Sequence, residues 1–340
     1  MELVVVNQRG VAYQAIPDGV SVVNLNAKHA FSSLPSFVRY LKRAKPVAVF
    51  SALDHCNLVA LWAIRLARMS ASIVISVHSP ISIRGSAANV ASAANIKDRM
   101  IPFLARMFYR WANAIVAVSS GVADDLSNTI SIPRQKISVI PNPVVVPELF
   151  ELAGESIDHP WLQSQEPPII LAVGRLEAVK DYPTLFNAFA KVVETHNARL
   201  IILGEGSERS VLERLVDELA LKKHVDLYGF TENPFAFMSK ARLLVLSSTY
   251  EGFGNVLVEA LALGLPVVST DCPSGPAEIL KNGTYGRLVP VRDPKGLADA
   301  IIAELSSPAT HLGLRERAYE FSYEKIGDQY LELISLHSDQ

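Results

Sequence analysis

Two carboxylates, Glu251 and Glu259, stand with seven residues between them in the run Ser248-Thr249-Tyr250-Glu251-Gly252-Phe253-Gly254-Asn255-Val256-Leu257-Val258-Glu259. The intervening Gly-x-Gly turn opens a helix. Free N–H groups at a helix start suit an anion such as a diphosphate. A carboxylate about a turn into that helix can accept paired hydroxyls, as an acidic residue does on a nucleotide ribose. Two cations, Arg175 and Lys180, follow a different apolar run, Ile169 to Val173. Together they can compensate an anion whose charge grows as a bond breaks, each charge-assisted hydrogen bond contributing about 1.5–3 kcal/mol. Arginine brings a planar fork and lysine a point charge. The plainer alternatives are solvated carboxylates favoured by the helix dipole and loop cations in water.

These residues need strands to place them. Leu243-Leu244-Val245-Leu246 reads as a buried parallel strand, Gly264 as a helix stop, and Pro266 to Thr270 as the next strand. Ile169–Val173, Arg199–Leu203 and Val225–Tyr228 belong to the same series. An earlier series comprises Val20–Leu25, Val47–Phe50, Ile73–Val77 and Ala114–Val118, with helical stretches between most members. Such alternation predicts an α/β fold with parallel sheets. Asn142-Pro143 and Pro147 interrupt it, and an irregular acidic stretch runs to Pro168. The expected domains are 1–150 and 151–320, with a terminal helical segment at 321–340.

A length of 340 residues accommodates two domains, and 49% apolar with 19% charged residues is a globular composition. Cys56 and Cys272 are far apart, which suits a reducing, cytoplasmic setting rather than a disulfide framework. The start Met1-Glu2-Leu3-Val4-Val5-Val6 has no basic n-region, so no signal peptide is expected. Leu58 to Val77 carries Arg65 and Arg68 in its middle and reads as a helix then a strand, not a membrane span. Residues 1–150 hold 15 Lys+Arg against 7 Asp+Glu, a charge of +8; residues 151–340 hold 17 against 27, a charge of −10. A basic first half fits an anionic partner or membrane surface, or else charges scattered over solvated faces. The chain has no Asp-x-Asp, no His-x-x-x-His and no cysteine pair, so no metal site is expected. Leu203-Gly204-Glu205-Gly206-Ser207-Glu208-Arg209 imitates a dinucleotide fingerprint, but Arg209 stands where its third glycine belongs, so an NAD enzyme is discounted.

The Glu251-to-Glu259 run resembles the Glu-x7-Glu motif of retaining GT-B glycosyltransferases, in particular family 4. The resemblance extends through Ala172-Val173-Gly174-Arg175-Leu176-Glu177-Ala178-Val179-Lys180-Asp181-Tyr182, through Leu203-Gly204-Glu205-Gly206, and through Thr270-Asp271-Cys272-Pro273-Ser274-Gly275-Pro276-Ala277-Glu278-Ile279. It implies two Rossmann-like domains facing across a cleft. It also implies transfer of a sugar, with retention, from a nucleoside diphosphate-sugar (UDP-linked in the first instance) to a glycan or lipid-linked saccharide of the cell envelope. No cofactor is implied beyond the donor itself.

In the resemblance Arg175 and Lys180 bind the donor diphosphate, Glu259 the ribose, and Glu251 sits near the sugar. Gly174 and the backbone of Gly252, Phe253, Gly254 and Asn255 line the donor site. His78, ending a strand, contacts donor sugar or acceptor. His55 and Asn57 are weaker acceptor-side candidates. Gly229-Phe230-Thr231 is expected near the base, and Ser274-Gly275-Pro276 after Asp271 faces the cleft. The last helix is expected to cross back to the first domain. One departure is that family members open with a strand, a Gly-rich loop and a helix ahead of the segment that Met1–Asn7 resembles. The amino-terminal sheet is thus expected to have a gap, with a late start as its cause. Two other readings remain open: a nucleotide-sugar epimerase or hydrolase, and a nucleotide-binding remnant without activity. The stretch Ile96–Trp111 mixes basic and large apolar residues. It fits either a membrane interface or a core-facing amphipathic helix with a basic solvent side.

Overall fold

A computed structural model describes residues 1–7, 16, 19–85, 96–163, 167–306 and 312–338. The chain divides into two units. One comprises Met1–Val118, Val122–Ile140 and Gln329–Gln340, and the other Ser119–Gly121 and Pro141–Asp328.

Six strands of the first unit are parallel, and they form two sheets. β1 (Glu2–Val5) pairs with β2 (Ser21–Asn24), and β3 (Ala48–Ala52), β4 (Ser72–Val77), β5 (Ala114–Ala117) and β6 (Ile137–Val139) follow one another in sequence order. Every residue of β4 and β5 is buried, as a parallel strand covered on both faces requires. The predicted helix-then-strand at Leu58–Val77 is helix Asp54–Ala67 followed by β4, and no helix among the described residues is long and apolar enough to cross a membrane.

The second unit holds a parallel six-stranded sheet. It is built from β7 (Ile169–Val173), β8 (Arg199–Leu203), β9 (Val225–Gly229), β10 (Leu243–Leu246), β11 (Val267–Thr270) and β12 (Arg287–Val289). The spatial order is β12-β11-β10-β7-β8-β9. Ile170 lies opposite Leu243 and Leu171 opposite Leu244, so β7 and β10 are central neighbours. Helix Tyr182–Thr195 starts with Pro183 in its first turn, where a missing N–H costs nothing, and buries Leu185, Phe186, Phe189 and Val192. Each such side chain contributes about 1.5–3 kcal/mol by leaving water.

The division falls at Ile140–Pro141 rather than after residue 150. The N–H groups of Val144 and Val145 both donate to the Phe321 carbonyl, at 2.9 and 3.1 Å, and Tyr323 N donates back to the Val145 carbonyl at 3.2 Å. These bonds draw residues 141–150 into the second unit. Sequence reading passed over β6 and β12, each only three residues long.

Candidate functional site

The chain leaves β7 for β8 on one side and returns to β10 on the other, so the strand order reverses between β7 and β10. In open parallel sheets a ligand crevice forms at the carboxyl ends beside such a reversal. The two loops that emerge there, 174–181 after β7 and 247–254 after β10, are bound to each other. Thr249 N donates to the Val179 carbonyl at 2.8 Å, and Ser247 Oγ donates to the Lys180 carbonyl at 2.6 Å.

Side chains join across the same gap. Lys180 Nζ lies 2.6 Å from Glu251 Oε1, and Ser248 Oγ donates to that same oxygen at 2.7 Å. The lysine and glutamate side chains are 18% and 14% exposed, so their charges interact with little screening by water. Lys180, expected to bind the donor diphosphate, is thus paired with Glu251. Arg175 is exposed, and its side chain has no hydrogen-bond or ion-pair partner among the described residues. The Tyr182 hydroxyl donates to the Gly174 carbonyl at 2.9 Å and fixes the start of the first loop; burial, with Glu251 adding to it, holds this phenol well above its ordinary pKa.

Glu259 is the fifth residue of helix Asn255–Ala262. Among the described residues nothing donates a hydrogen bond to its carboxyl group. Burial alone pushes its pKa up to about 7, because the ionised form loses hydration without gaining a cation. The helix is entered through Gly254 at φ +99°, and its first turn leaves N–H groups to be satisfied from outside. Phe253 is 4% exposed, its ring packed against Phe321 at 5.4 Å between centroids. Asn255 Oδ1 accepts from Asn142 Nδ2 at 2.8 Å, and the Gly252 carbonyl accepts from Ser119 Oγ at 2.7 Å.

Two glycines make these turns possible. Gly204 has φ +149°, and a Cβ there would meet the Gly174 carbonyl oxygen at 2.0 Å. Gly275 has φ +92°, and a Cβ there would meet the Phe253 carbonyl oxygen at 1.7 Å. The glycine run that imitated a dinucleotide fingerprint thus packs the β8 loop beneath the β7 loop. Its Arg209 is occupied with Glu205, Glu213 and the Leu227 carbonyl. Phe230 is 66% exposed beyond Gly229, and Ser274, at φ +77°, leads into Gly275.

The structure brings Gly174, Lys180 and Glu251 together, with Gly252–Gly254 on the same loop as Glu251 and with Asn255 and Glu259 on the helix that follows. Sequence reasoning missed Ser247, Ser248, Thr249 and Tyr182, which hold this arrangement; their one signal was position, directly after β10 or beside Lys180.

His78, His55 and Asn57 belong to the first unit. His78 follows β4, its buried Nε2 has no partner among the described residues, and burial lowers its pKa against an opposing pull from Asp54. Asn57 is fully buried and donates to the Ser76 carbonyl at 2.8 Å, tying helix Asp54–Ala67 to β4. His55 stands in the first turn of that helix. Among the described residues no cluster of three or more His, Cys, Asp or Glu could hold a metal ion.

Two family models match the chain: "Glycosyl transferases group 1" over residues 155–324 and "Glycosyltransferase Family 4" over residues 3–146. A glycosyltransferase of Methanocaldococcus jannaschii is 33% identical over 54% of this chain and 46% of its own length. The N-acetylgalactosamine-N,N'-diacetylbacillosaminyl-diphospho-undecaprenol 4-alpha-N-acetylgalactosaminyltransferase of Campylobacter jejuni is 30% identical over 85% of this chain and 76% of its own length. The chain thus spans about half to three quarters of these relatives. Among solved structures, Anabaena HepE in complex with UDP and glucose superposes with a TM-score of 0.77 at 20% identity, over 98% of this chain and 91% of that one. The two parallel-sheet α/β units are those of the GT-B fold. The chain belongs to the glycosyl transferases group 1 family, whose members are sugar-transferring enzymes.

Proposed function

We propose that this chain moves a hexosyl group from a nucleoside diphosphate-sugar, UDP-linked, to a hydroxyl of a glycan or lipid-linked saccharide in cell-envelope polysaccharide synthesis, with retention of anomeric configuration. The observation that carries the reading is the Lys180–Glu251 bridge across the reversal of strand order, beside Glu259 on its helix. The Campylobacter relative, named for a diphospho-undecaprenol-linked acceptor, supports the acceptor class. The UDP in the HepE complex supports the base.

In this reading Glu259 accepts the two ribose hydroxyls. Arg175 and Lys180 hold the diphosphate, Lys180 turning part of its three-donor capacity from Glu251 to phosphate oxygen. The Gly252–Asn255 backbone and Glu251 contact the sugar. The bond from the anomeric carbon to the phosphate oxygen breaks, and the acceptor oxygen bonds to the same face. The acceptor proton passes to the departing phosphate, whose growing charge the two cations offset. His78 of the first unit serves as a neutral hydrogen-bonding partner for a sugar hydroxyl.

The test begins with a thermal-shift panel of UDP-, GDP- and ADP-sugars, followed by transfer assays with the stabilising donor. Arg175→Ala is expected to lower kcat by roughly 10²–10³, the range seen on removing one preorganised donor, with little change in affinity for the free nucleoside. Equal losses in both would remove its role at the leaving group. A donor-only incubation separates transfer from hydrolysis or epimerisation: net donor turnover without acceptor would favour those activities instead.

A further inference from the structure

Both hydrogen bonds to the Glu251 carboxylate fall on one of its oxygens. Oε1 accepts from Lys180 Nζ at 2.6 Å and from Ser248 Oγ at 2.7 Å, which uses both lone pairs of that atom. Oε2 has no partner among the described residues and is not shut off from solvent. A carboxylate oxygen in a largely buried side chain is costly to leave unpaired. The asymmetry therefore points Oε2 at a donor group that a ligand brings.

The two groups on Oε1 are not held alike. Ser248 is fully buried, so its hydroxyl reaches Glu251 and cannot reach a ligand itself. Its carbonyl accepts from Thr270 Oγ1 at 2.6 Å, and Thr270 is itself fully buried in β11. On either side of it, Ser247 Oγ donates to the Lys180 carbonyl at 2.6 Å and Thr249 N to the Val179 carbonyl at 2.8 Å. The serine hydroxyl thus sits on a short side chain whose backbone is tied to two neighbouring strands' loops. Lys180 is long and carries three donors, and a diphosphate draws some of them away. Glu251 would then be free to turn, were Oε1 not still held by the serine.

We infer that Ser248 is a positioning residue for sugar transfer. Its hydroxyl keeps Oε1 of Glu251 pinned while Lys180 turns to the diphosphate, so that Oε2 alone is presented to a hydroxyl of the donor's hexose. The inference rests on the sugar-donor reading of this site. It sets the two carboxylates apart: Glu259 has both oxygens open for the ribose pair, whereas Glu251 works through one.

The test compares Ser248→Ala, Glu251→Ala and the double variant in the full chain. The donor is whichever of UDP-glucose, UDP-galactose, UDP-N-acetylglucosamine and UDP-N-acetylgalactosamine supports transfer by the wild type, and free UDP is the control without sugar. Ser248→Ala is expected to lower kcat roughly tenfold, the loss of one hydrogen bond to a charged group, with the calorimetric Kd for UDP unchanged. In the Glu251→Ala background the same substitution should cost nothing further, because it acts only through the carboxylate. Ser248→Cys keeps a weaker donor of similar size and should fall between wild type and Ser248→Ala. A serine that only braced the loop would weaken UDP binding equally and add its loss to that of Glu251→Ala. Either outcome, or normal turnover by Ser248→Ala beside a crippled Glu251→Ala, overturns the inference and leaves the donor reading in place. Full activity of Glu251→Ala, or no transfer from any of the four donors, would overturn the reading of the site and the inference with it.

Discussion

In the proposed reading Glu259 faces two opposed demands. Its place in a half-buried helix favours the protonated acid, with a pKa of about 7, whereas accepting two ribose hydroxyls calls for the carboxylate. A folded-state pKa raised above the unfolded value of 4.5 makes burial costly only where the unfolded chain would ionise. Below pH 4.5 the side chain is protonated in both states and contributes no penalty. Stability is lost as pH rises from 4.5 to 7, and above 7 the full penalty applies, on the order of 3 kcal/mol. Glu259→Gln is therefore expected to raise the melting temperature of the ligand-free protein by several degrees at pH 8 and to leave it nearly unchanged at pH 4. The same substitution should weaken donor binding at pH 8. In the wild type, calorimetric donor affinity should fall between pH 8 and pH 6 as the carboxylate is lost; a flat profile would argue against ionised Glu259 as the ribose ligand.

Lys180 and Glu251 offer a second residue-scale test. Each single alanine variant leaves a partly buried charge alone, so the double variant should be less unstable than the sum, with a coupling of about 0.5–3 kcal/mol in denaturant unfolding. These residues were legible in the sequence as candidates, through type, spacing and the family resemblance. Their pairing was not: the partners are 71 positions apart in the chain, and only the adjacency of β7 and β10 brings them within 2.6 Å.

At the scale of elements, hydrogen bonds and close backbone approaches tie the loops to one another. Gly275 is the point of closest approach, where the chain after β11 touches the Phe253 carbonyl. Gly275→Ala must move that carbonyl or distort a left-handed backbone, at about 1–3 kcal/mol. Because Phe253 lies in the turn that opens the Asn255–Ala262 helix, donor affinity should fall more than stability. Unchanged affinity, measured by calorimetry on a folded variant, would mean that this turn does not line the donor site. Strands such as β7, β8 and β10 were readable because uninterrupted apolar runs mark burial on both faces. β6 and β12 escaped because three residues give periodicity nothing to repeat. The helix Ile96–Phe108 was readable as amphipathic, but which of its apolar side chains face outward depends on what packs against the opposite side.

For the whole molecule, the division into two units predicts unequal responses to ligand. A nucleotide that binds only the second unit at 100 times its dissociation constant adds about 2.7 kcal/mol there. Hydrogen exchange is expected to show UDP-dependent protection concentrated in residues 167–306. Equal protection in β3, β4 and β5 would place nucleotide contacts in the first unit as well. The parallel α/β character of both units and their number followed from alternation and the prolines near 142–147. The point of division did not, since it rests on a bond pattern between segments far apart in sequence.

That pattern has a further consequence. With both valine amides resting on one carbonyl, Phe321 acts as a clasp, and its ring braces Phe253 from behind. A stop codon just ahead of it would remove none of the residues proposed to hold sugar or phosphate. It would nonetheless orphan two amides and loosen the glycine turn from beneath, so a shortened gene should yield a protein that has lost its response to nucleotide while every residue credited with chemistry is still present.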